Sequence, residues 1–181
     1  SPNPMTAAIN RIKPVDDGHG HGRVYIRLKT PAVMLEDVNQ ALQIFSCQAP
    51  SLEGAVEIIA GLSGDLARQG AAEKTNYNFL QAFSRGYAQL AAQLGTILPS
   101  TTDKFAPYVA CEEKSCFVDW IDLYYDCALT RQGITLVDTP GADSINARHT
   151  GVAFDFIKNS DAILFVTYYN HAFSKADREF L

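Results

Sequence analysis

Cysteine is sparse in this sequence, and its placement excludes two common ways of stabilising a small fold. The four cysteines are Cys47, Cys111, Cys116 and Cys127. None is separated from another by the two-residue spacing that zinc sites use, so we expect neither a structural zinc ion nor a disulfide framework. No segment resembles a secretory signal, and such sparse cysteine use is typical of a reducing, cytosolic compartment.

Long hydrophobic runs and an excess of basic residues are also missing. The longest unbroken apolar run covers residues 162 to 166, far short of the roughly 20 residues that a membrane-spanning helix needs. Acidic residues outnumber basic ones by 20 to 15, which gives a net charge of -5 and argues against a nucleic-acid-binding protein. The 181 residues, 47% of them hydrophobic, suffice for one globular domain with its own core.

The first regular pattern is an alternation of apolar and charged residues between positions 22 and 29. Val24, Ile26 and Leu28 are separated by charged or polar residues, which predicts a strand with one buried face. Before this strand, glycine and histidine alternate over residues 18 to 22. We interpret this stretch as a connecting loop rather than as a metal site.

After Pro31 the period of the apolar residues changes to that of a helix. Residues 36 to 98 are predicted to form three helices, with Glu36 and Asp37 near the positive end of the first helix. Ser51 is the predicted N-cap of the second helix. The third helix is predicted to run to residue 98, where Pro99 ends it.

The last third of the chain predicts an α/β arrangement. An antiparallel hairpin is predicted from residues 117–126, a turn at 130–133 and a short apolar strand at 134–137. A helix over 147–159 and a strand at 162–166, buried on both faces, would then complete a right-handed βαβ unit.

The candidate chemistry lies where the strand at 134–137 ends. Asp138 is followed three residues later by Gly141, a DxxG element at the carboxyl end of a strand, where α/β sheets bind ligands. An aspartic protease would require Asp-Thr-Gly, and a haloacid-dehalogenase nucleophile would require Asp-x-Asp; Pro140 breaks both patterns. An aspartate that only caps the following helix remains a structural alternative.

Several motifs resemble the GTPase domain of bacterial dynamin-like proteins. The stretch Asp138-Thr139-Pro140-Gly141-Ala142-Asp143-Ser144 and the apolar run at 162–166 carry the resemblance at one end, and Asn3-Pro4-Met5-Thr6-Ala7 resembles switch I at the other. The resemblance implies an incomplete P-loop NTPase-type sheet with a helical insertion. It divides the partial domain into switch I and a strand (1–30), the insertion (31–104), and the hairpin, DxxG element and βαβ unit (105–181).

The resemblance also implies a set of ligands and partners. Thr6 and Asp138 are expected to bind Mg²⁺, Gly141 to contact the terminal phosphate of GTP, and Thr139 and Pro140 to complete the nucleotide-binding segment. In the complete protein we expect GTPase domains that pair as a homodimer, contact with membrane lipid through regions outside this chain, and no nucleic-acid partner. The expected location is cytoplasmic, peripheral at the inner face of the membrane.

Two family elements are not found in the 181 residues. There is no Gly-x-x-x-x-Gly-Lys-Ser/Thr loop and no Asn-Lys-x-Asp guanine motif; the family order places the first before Ser1 and the second after Leu181. We therefore expect the chain by itself neither to bind GTP tightly nor to hydrolyse it. The alternatives are a catalytically silent module that binds a partner through helix 74–98, and a different P-loop GTPase that shares only the DxxG element.

Overall fold

A computed structural model describes residues 8–64, 70–138 and 158–164, and these form a mixed α/β fold. The strands are β1 (Ile9–Lys13), β2 (Arg23–Leu28), β3 (Ile97–Thr101), β4 (Val118–Tyr124) and β5 (Leu136–Asp138). The helices are α1 (Pro31–Gln43), α2 (Leu52–Ala60), α3 (Ala71–Leu90), α4 (Pro107–Ala110) and α5 (Glu112–Ser115). The α/β class predicted from the sequence is confirmed.

The five strands form one sheet in the order β3-β2-β4-β1-β5. Strand β1 lies parallel to β4 and antiparallel to β5, and β2 lies antiparallel to both β3 and β4. Strand β1 had no clear alternating signal and was not predicted from the sequence. It nevertheless lies between β4 and β5 and pairs with both, so β5 belongs to the described sheet only through β1.

The alternation seen in the sequence of β2 gives the sheet a buried face and a more open face. Val24, Ile26 and Leu28 are fully buried and pack with apolar residues of α1, α2 and α3 in one core. The predicted strand is therefore confirmed, as is the loop over residues 18–22. Among the described residues, no helix has the length and apolarity that a bilayer crossing requires.

The helix starts follow local capping chemistry. The Ser51 hydroxyl accepts a hydrogen bond from the Gly54 N–H at 3.1 Å, so the predicted cap of α2 is confirmed. Thr30 caps α1 in the same way, through the Val33 N–H. Because α1 begins at Pro31, Glu36 and Asp37 lie beyond its first turn, and the predicted interaction with the positive helix end is wrong.

The predicted third helix ends earlier than expected. Helix α3 stops at Leu90, a 3-10 turn follows, and Gly95 takes a left-handed conformation with φ of 79°. Pro99 therefore does not end a helix but lies within β3, opposite Tyr25. Proline is tolerated there because β3 is an edge strand of the described sheet, where a missing N–H costs no ladder bond. The predicted insertion at 31–104 thus contributes one strand to the sheet.

The predicted antiparallel hairpin between residues 117–126 and 134–137 is wrong. Both strands exist, as β4 and β5, but β1 lies between them and pairs with each. The turn is confirmed: residues 130–132 form a 3-10 turn that ends at Gly133, whose φ is 81°. Short connections favour hairpins, yet here a strand distant in sequence takes the intervening position.

The predicted βαβ unit after β5 is described only in part. Residues 162–164 belong to no strand, and Ile163 and Leu164 are 56% and 84% exposed. The prediction of a strand buried on both faces is therefore wrong for these three residues. Such a strand needs neighbours to pair its backbone groups, and no described strand pairs with them. The rest of the predicted unit lies outside the described residues.

A buried ion pair joins the end of β2 to α1. Lys29 and Asp37 are 1% and 0% exposed, and the Lys29 Nζ lies 2.8 Å from the Asp37 Oδ2. The same ammonium donates to the Cys116 carbonyl oxygen at 2.7 Å, which ties the segment after α5 to the pair. Burial raises the pKa of the Cys116 thiol to about 12, so this thiol stays protonated and packs as a small apolar group.

Replacement of Lys29 by methionine should destabilise the fold strongly. Lys29→Met leaves the Asp37 carboxylate buried without its ammonium partner, which costs about 3–5 kcal/mol of unfolding free energy. The matched control is Arg85→Met, because Arg85 forms an exposed pair with Glu113 that is worth about 1 kcal/mol at most. Urea unfolding measures both; equal losses would contradict the stabilising role of the buried pair.

Helix α3 crosses the segment containing α5 at Gly86. A Cβ atom at Gly86 would lie 2.0 Å from the Glu113 carbonyl oxygen and 2.7 Å from a ring carbon of Phe117. Phe117 is fully buried, and its ring stacks at a tilt 5.6 Å from that of Phe83 on α3. The glycine is therefore required by the close approach of the two segments.

Gly86→Ala should destabilise the protein although alanine favours helices. In an exposed helix this change stabilises by up to about 1 kcal/mol, whereas overpacking against backbone should cost about 1–3 kcal/mol. Gly20→Ala is the control, since a Cβ there meets nothing within 4 Å. An unfolding free energy that rises in Gly86→Ala would show that the two segments do not touch as described.

Candidate functional site

The candidate site lies at the end of the sheet where β1 begins and β5 ends. The antiparallel register places Asn10 opposite Asp138, Arg11 opposite Val137 and Ile12 opposite Leu136. The chain therefore enters β1 at Ile9 beside the point where it leaves β5 at Asp138. This single pairing brings residues that are 124 to 128 positions apart in the sequence to one end of the sheet.

Asp138 presents its carboxylate at this end without a partner among the described residues. The residue is exposed, and within the described part of the chain its side chain makes no hydrogen bond or ion pair. A carboxylate left open at a strand end suits a hard cation such as Mg²⁺, which prefers oxygen ligands and retains several waters. The donor chemistry of Asp138 therefore fits the metal that the sequence implied.

Asn10 is a neighbour of Asp138 that no sequence signal indicated. Directly opposed residues of antiparallel strands place their side chains on the same face, with Cβ atoms about 5 Å apart, so Asn10 and Asp138 are neighbours on one face of the sheet. Asn10 is half-buried, and its position on β1 is fixed by pairing on both sides, with Ile121 and with Asp138. Only the long-range register reveals this neighbour.

A charged cluster one residue further along β1 holds the strand against β4. The Arg11 guanidinium forms two hydrogen bonds with the Asp122 carboxylate, one of them 2.9 Å long from Nη2 to Oδ2. The Lys13 Nζ lies 3.4 Å from the same carboxylate. Because Asp122 is only 4% exposed, this bidentate pair is shielded from water and fixes the position of β1 in the sheet.

Of the predicted site residues, the structure describes only Asp138. Asp138 is placed at the end of β5 as predicted, whereas Thr6, Thr139, Pro140 and Gly141 lie outside the described residues. The alternative that Asp138 caps the following helix also concerns residues outside that range and stays open. Among residues 8–64, 70–138 and 158–164, no three His, Cys, Asp or Glu side chains are grouped to hold a metal ion.

Comparison with known proteins shows the family to which the chain belongs. The open α/β sheet and its helices are those of a domain of the P-loop GTPase type. The sequence model of the Dynamin family matches residues 1–181, and the chain belongs to that family. This membership places the chain among nucleotide-binding GTPases, and it confirms the resemblance that the DxxG and Thr6 segments indicated.

Two relatives are similar over different extents. Dynamin-like protein A of Bacillus subtilis (strain 168) is 36% identical over 190 residues, which cover all of this chain and 15% of the relative. An uncharacterized protein in the xynA 3' region of Caldicellulosiruptor sp. (strain Rt8B.4) is 33% identical over 64 residues, 35% of this chain and 16% of that protein. The chain thus spans about a sixth of the length of the relatives it matches.

Proposed function

We propose that this chain forms part of a GTP-hydrolysing site in which Thr6 and Asp138 bind one Mg²⁺ beside the outer phosphates of GTP. Family membership supports the nucleotide, and the register of β1 with β5 supports the pairing of the two residues. Thr6 precedes Ile9 by only three residues, and each residue spans at most about 3.6 Å. Strand β1, which pairs with β5 at Asp138, is therefore also the strand that follows Thr6 in the chain.

Each residue has a distinct part in the proposed site. Asp138 orients metal-bound water with its carboxylate, and Thr6 supplies a hydroxyl oxygen. The Gly141 N–H donates to the terminal phosphate, and Thr139 and Pro140 shape the backbone between them. A bound Mg²⁺ would neutralise the charge that develops on the phosphates during hydrolysis. Loss of the terminal phosphate would remove a contact from both segments, which is how hydrolysis becomes a conformational change.

The broader activity follows from the same proposal. We propose that the complete protein couples this hydrolysis to membrane remodelling or fusion, with GTPase domains that pair as a homodimer and lipid bound by other regions. Its proposed location is cytoplasmic, at the inner face of the membrane. The competing proposal of a silent module that binds partners through helix 74–98 has less support, because the buried residues Leu80, Phe83 and Leu90 of α3 belong to the chain's own core.

Removal of the Asp138 charge should lower Mg²⁺-dependent GTP hydrolysis in the complete protein. Asp138→Asn keeps the shape of the side chain but weakens the orientation of metal-bound water, which we expect to reduce kcat by about 10–100-fold. The control is Asp103→Asn, an exposed aspartate in the turn after β3. Phosphate release at a series of Mg²⁺ concentrations gives both values; an Asp138→Asn protein as active as the control would refute the metal role.

The isolated chain should bind GTP weakly. Its 181 residues contain no phosphate-loop motif, and each charge-assisted contact from such a loop is worth about 1.5–3 kcal/mol. Titration of a fluorescent GTP analogue in the presence of Mg²⁺ should therefore give a dissociation constant above about 100 μM. Binding in the low micromolar range would mean that the phosphates are held by residues of this chain alone.

A further inference from the structure

Strand β1 has little apolar burial of its own to fix its alignment with its neighbours. Only Ile9 of its five residues is buried, and the other four are half-buried. In β2, by contrast, buried and more exposed positions alternate. Such a pattern allows one register, because a slip of one residue would move every buried side chain to the other face. The register of β1 must therefore be fixed by contacts other than apolar packing.

Those contacts come from Arg11, whose side chain is held by two residues of β4. The guanidinium forms two hydrogen bonds with the carboxylate of Asp122, the residue directly opposite Arg11. It also lies 4.5 Å from the centre of the Trp120 ring. Asp122 is buried. A slip of β1 by one residue would turn Arg11 to the other face of the sheet and leave this buried carboxylate without its bidentate partner.

The same alignment decides which part of β1 stands beside Asp138. Arg11 lies opposite Val137, the residue before Asp138. Thr6 precedes Arg11 by five residues, so a shift of β1 also moves the chain that leads to Thr6. One residue along a strand is about 3.3 Å, whereas a bond between Mg²⁺ and oxygen is about 2.1 Å long. A slip of one residue would therefore displace β1 by more than the length of a metal–ligand bond.

We propose that Arg11 and Asp122 are positioning residues for the Mg²⁺ site. Their bidentate pair holds β1 in the register that brings the segment containing Thr6 to Asp138. This inference rests on the proposed function, in which Thr6 and Asp138 bind one Mg²⁺. Side chains alternate along a strand, so Arg11 points to the face opposite that of Asn10 and Asp138. The pair therefore acts on the site through the backbone of β1 and not by contact with the ion.

The contribution of Mg²⁺ to nucleotide binding by the complete protein tests this role. The measured quantity is the dissociation constant of a fluorescent, non-hydrolysable GTP analogue, determined once with Mg²⁺ and once with EDTA. The ratio of the constant in EDTA to the constant in Mg²⁺ gives the coupling between metal and nucleotide. A loss of fold stability would lower the fraction of protein that binds, or change both constants together, and would leave this ratio unchanged.

Three variants give graded expectations for this ratio. Arg11→Gln combined with Asp122→Asn leaves no unpaired carboxylate buried, and the ratio should fall about tenfold, the lower end of what supporting residues contribute to metal sites. Arg11→Lys keeps the charge but loses the bidentate geometry, so the ratio should fall about threefold. Lys13→Gln is the matched control. Lys13 also lies near Asp122, at 3.4 Å, but beyond the residues of β1 that pair with β5, so the ratio should change by less than about twofold.

Three results would overturn the inference. The first is a ratio that the Arg11 variants leave unchanged while Asp138→Asn lowers it; the proposed metal site would then stand without the positioning role. The second is an equal fall in Lys13→Gln, which would show a general effect of charge near β1. The third is an unchanged ratio in Asp138→Asn, which would contradict the proposed function and this inference with it. If circular dichroism shows that the neutral double variant does not fold, Arg11→Lys decides alone.

Discussion

The position of β1 between β4 and β5 is the constraint on which the remaining structure depends. Its parallel pairing with β4 joins it to the helix-covered half of the sheet, and its antiparallel pairing with β5 brings Asn10 beside Asp138. The Arg11–Asp122 pair secures this register from the opposite face, because a shift of one residue would turn Arg11 away from its buried carboxylate. The arrangement of the candidate nucleotide site follows from this one alignment.

The sequence predicted what local chemistry determines. The alternation around Ile26 correctly predicted β2, and the Ser51 hydroxyl correctly predicted the start of α2. The turn that ends at Gly133 was also predicted correctly. Each of these signals acts over a few residues, through side-chain periodicity, a capping bond or a left-handed backbone conformation. The family resemblance, which depends on short motifs of the same kind, is likewise confirmed.

Long-range pairing could not be predicted in the same way. β4 and β5 looked like a hairpin because they are close in sequence, and only the presence of β1 excludes it. Pro99 looked like a helix end because its tolerance on an edge strand depends on which strands surround it. Asp37 looked like a residue for a helix dipole, yet Lys29 holds it in the core. For the site, Asp138 was identified from its motif, while Asn10 became visible only through the register.

One face of the sheet packs against the helices through Val24, Ile26 and Leu28. The central claim is that Thr6 and Asp138 bind one Mg²⁺ at the end of the sheet where β1 begins and β5 ends. A double-mutant cycle tests this claim most directly. Thr6→Ala and Asp138→Asn, alone and together, are compared by the Mg²⁺ concentration that half-saturates GTP hydrolysis in the complete protein. If both residues bind one cation, the double variant loses less than the sum of the single losses, with a coupling of about 1 kcal/mol or more. Strictly additive losses would contradict a shared metal site.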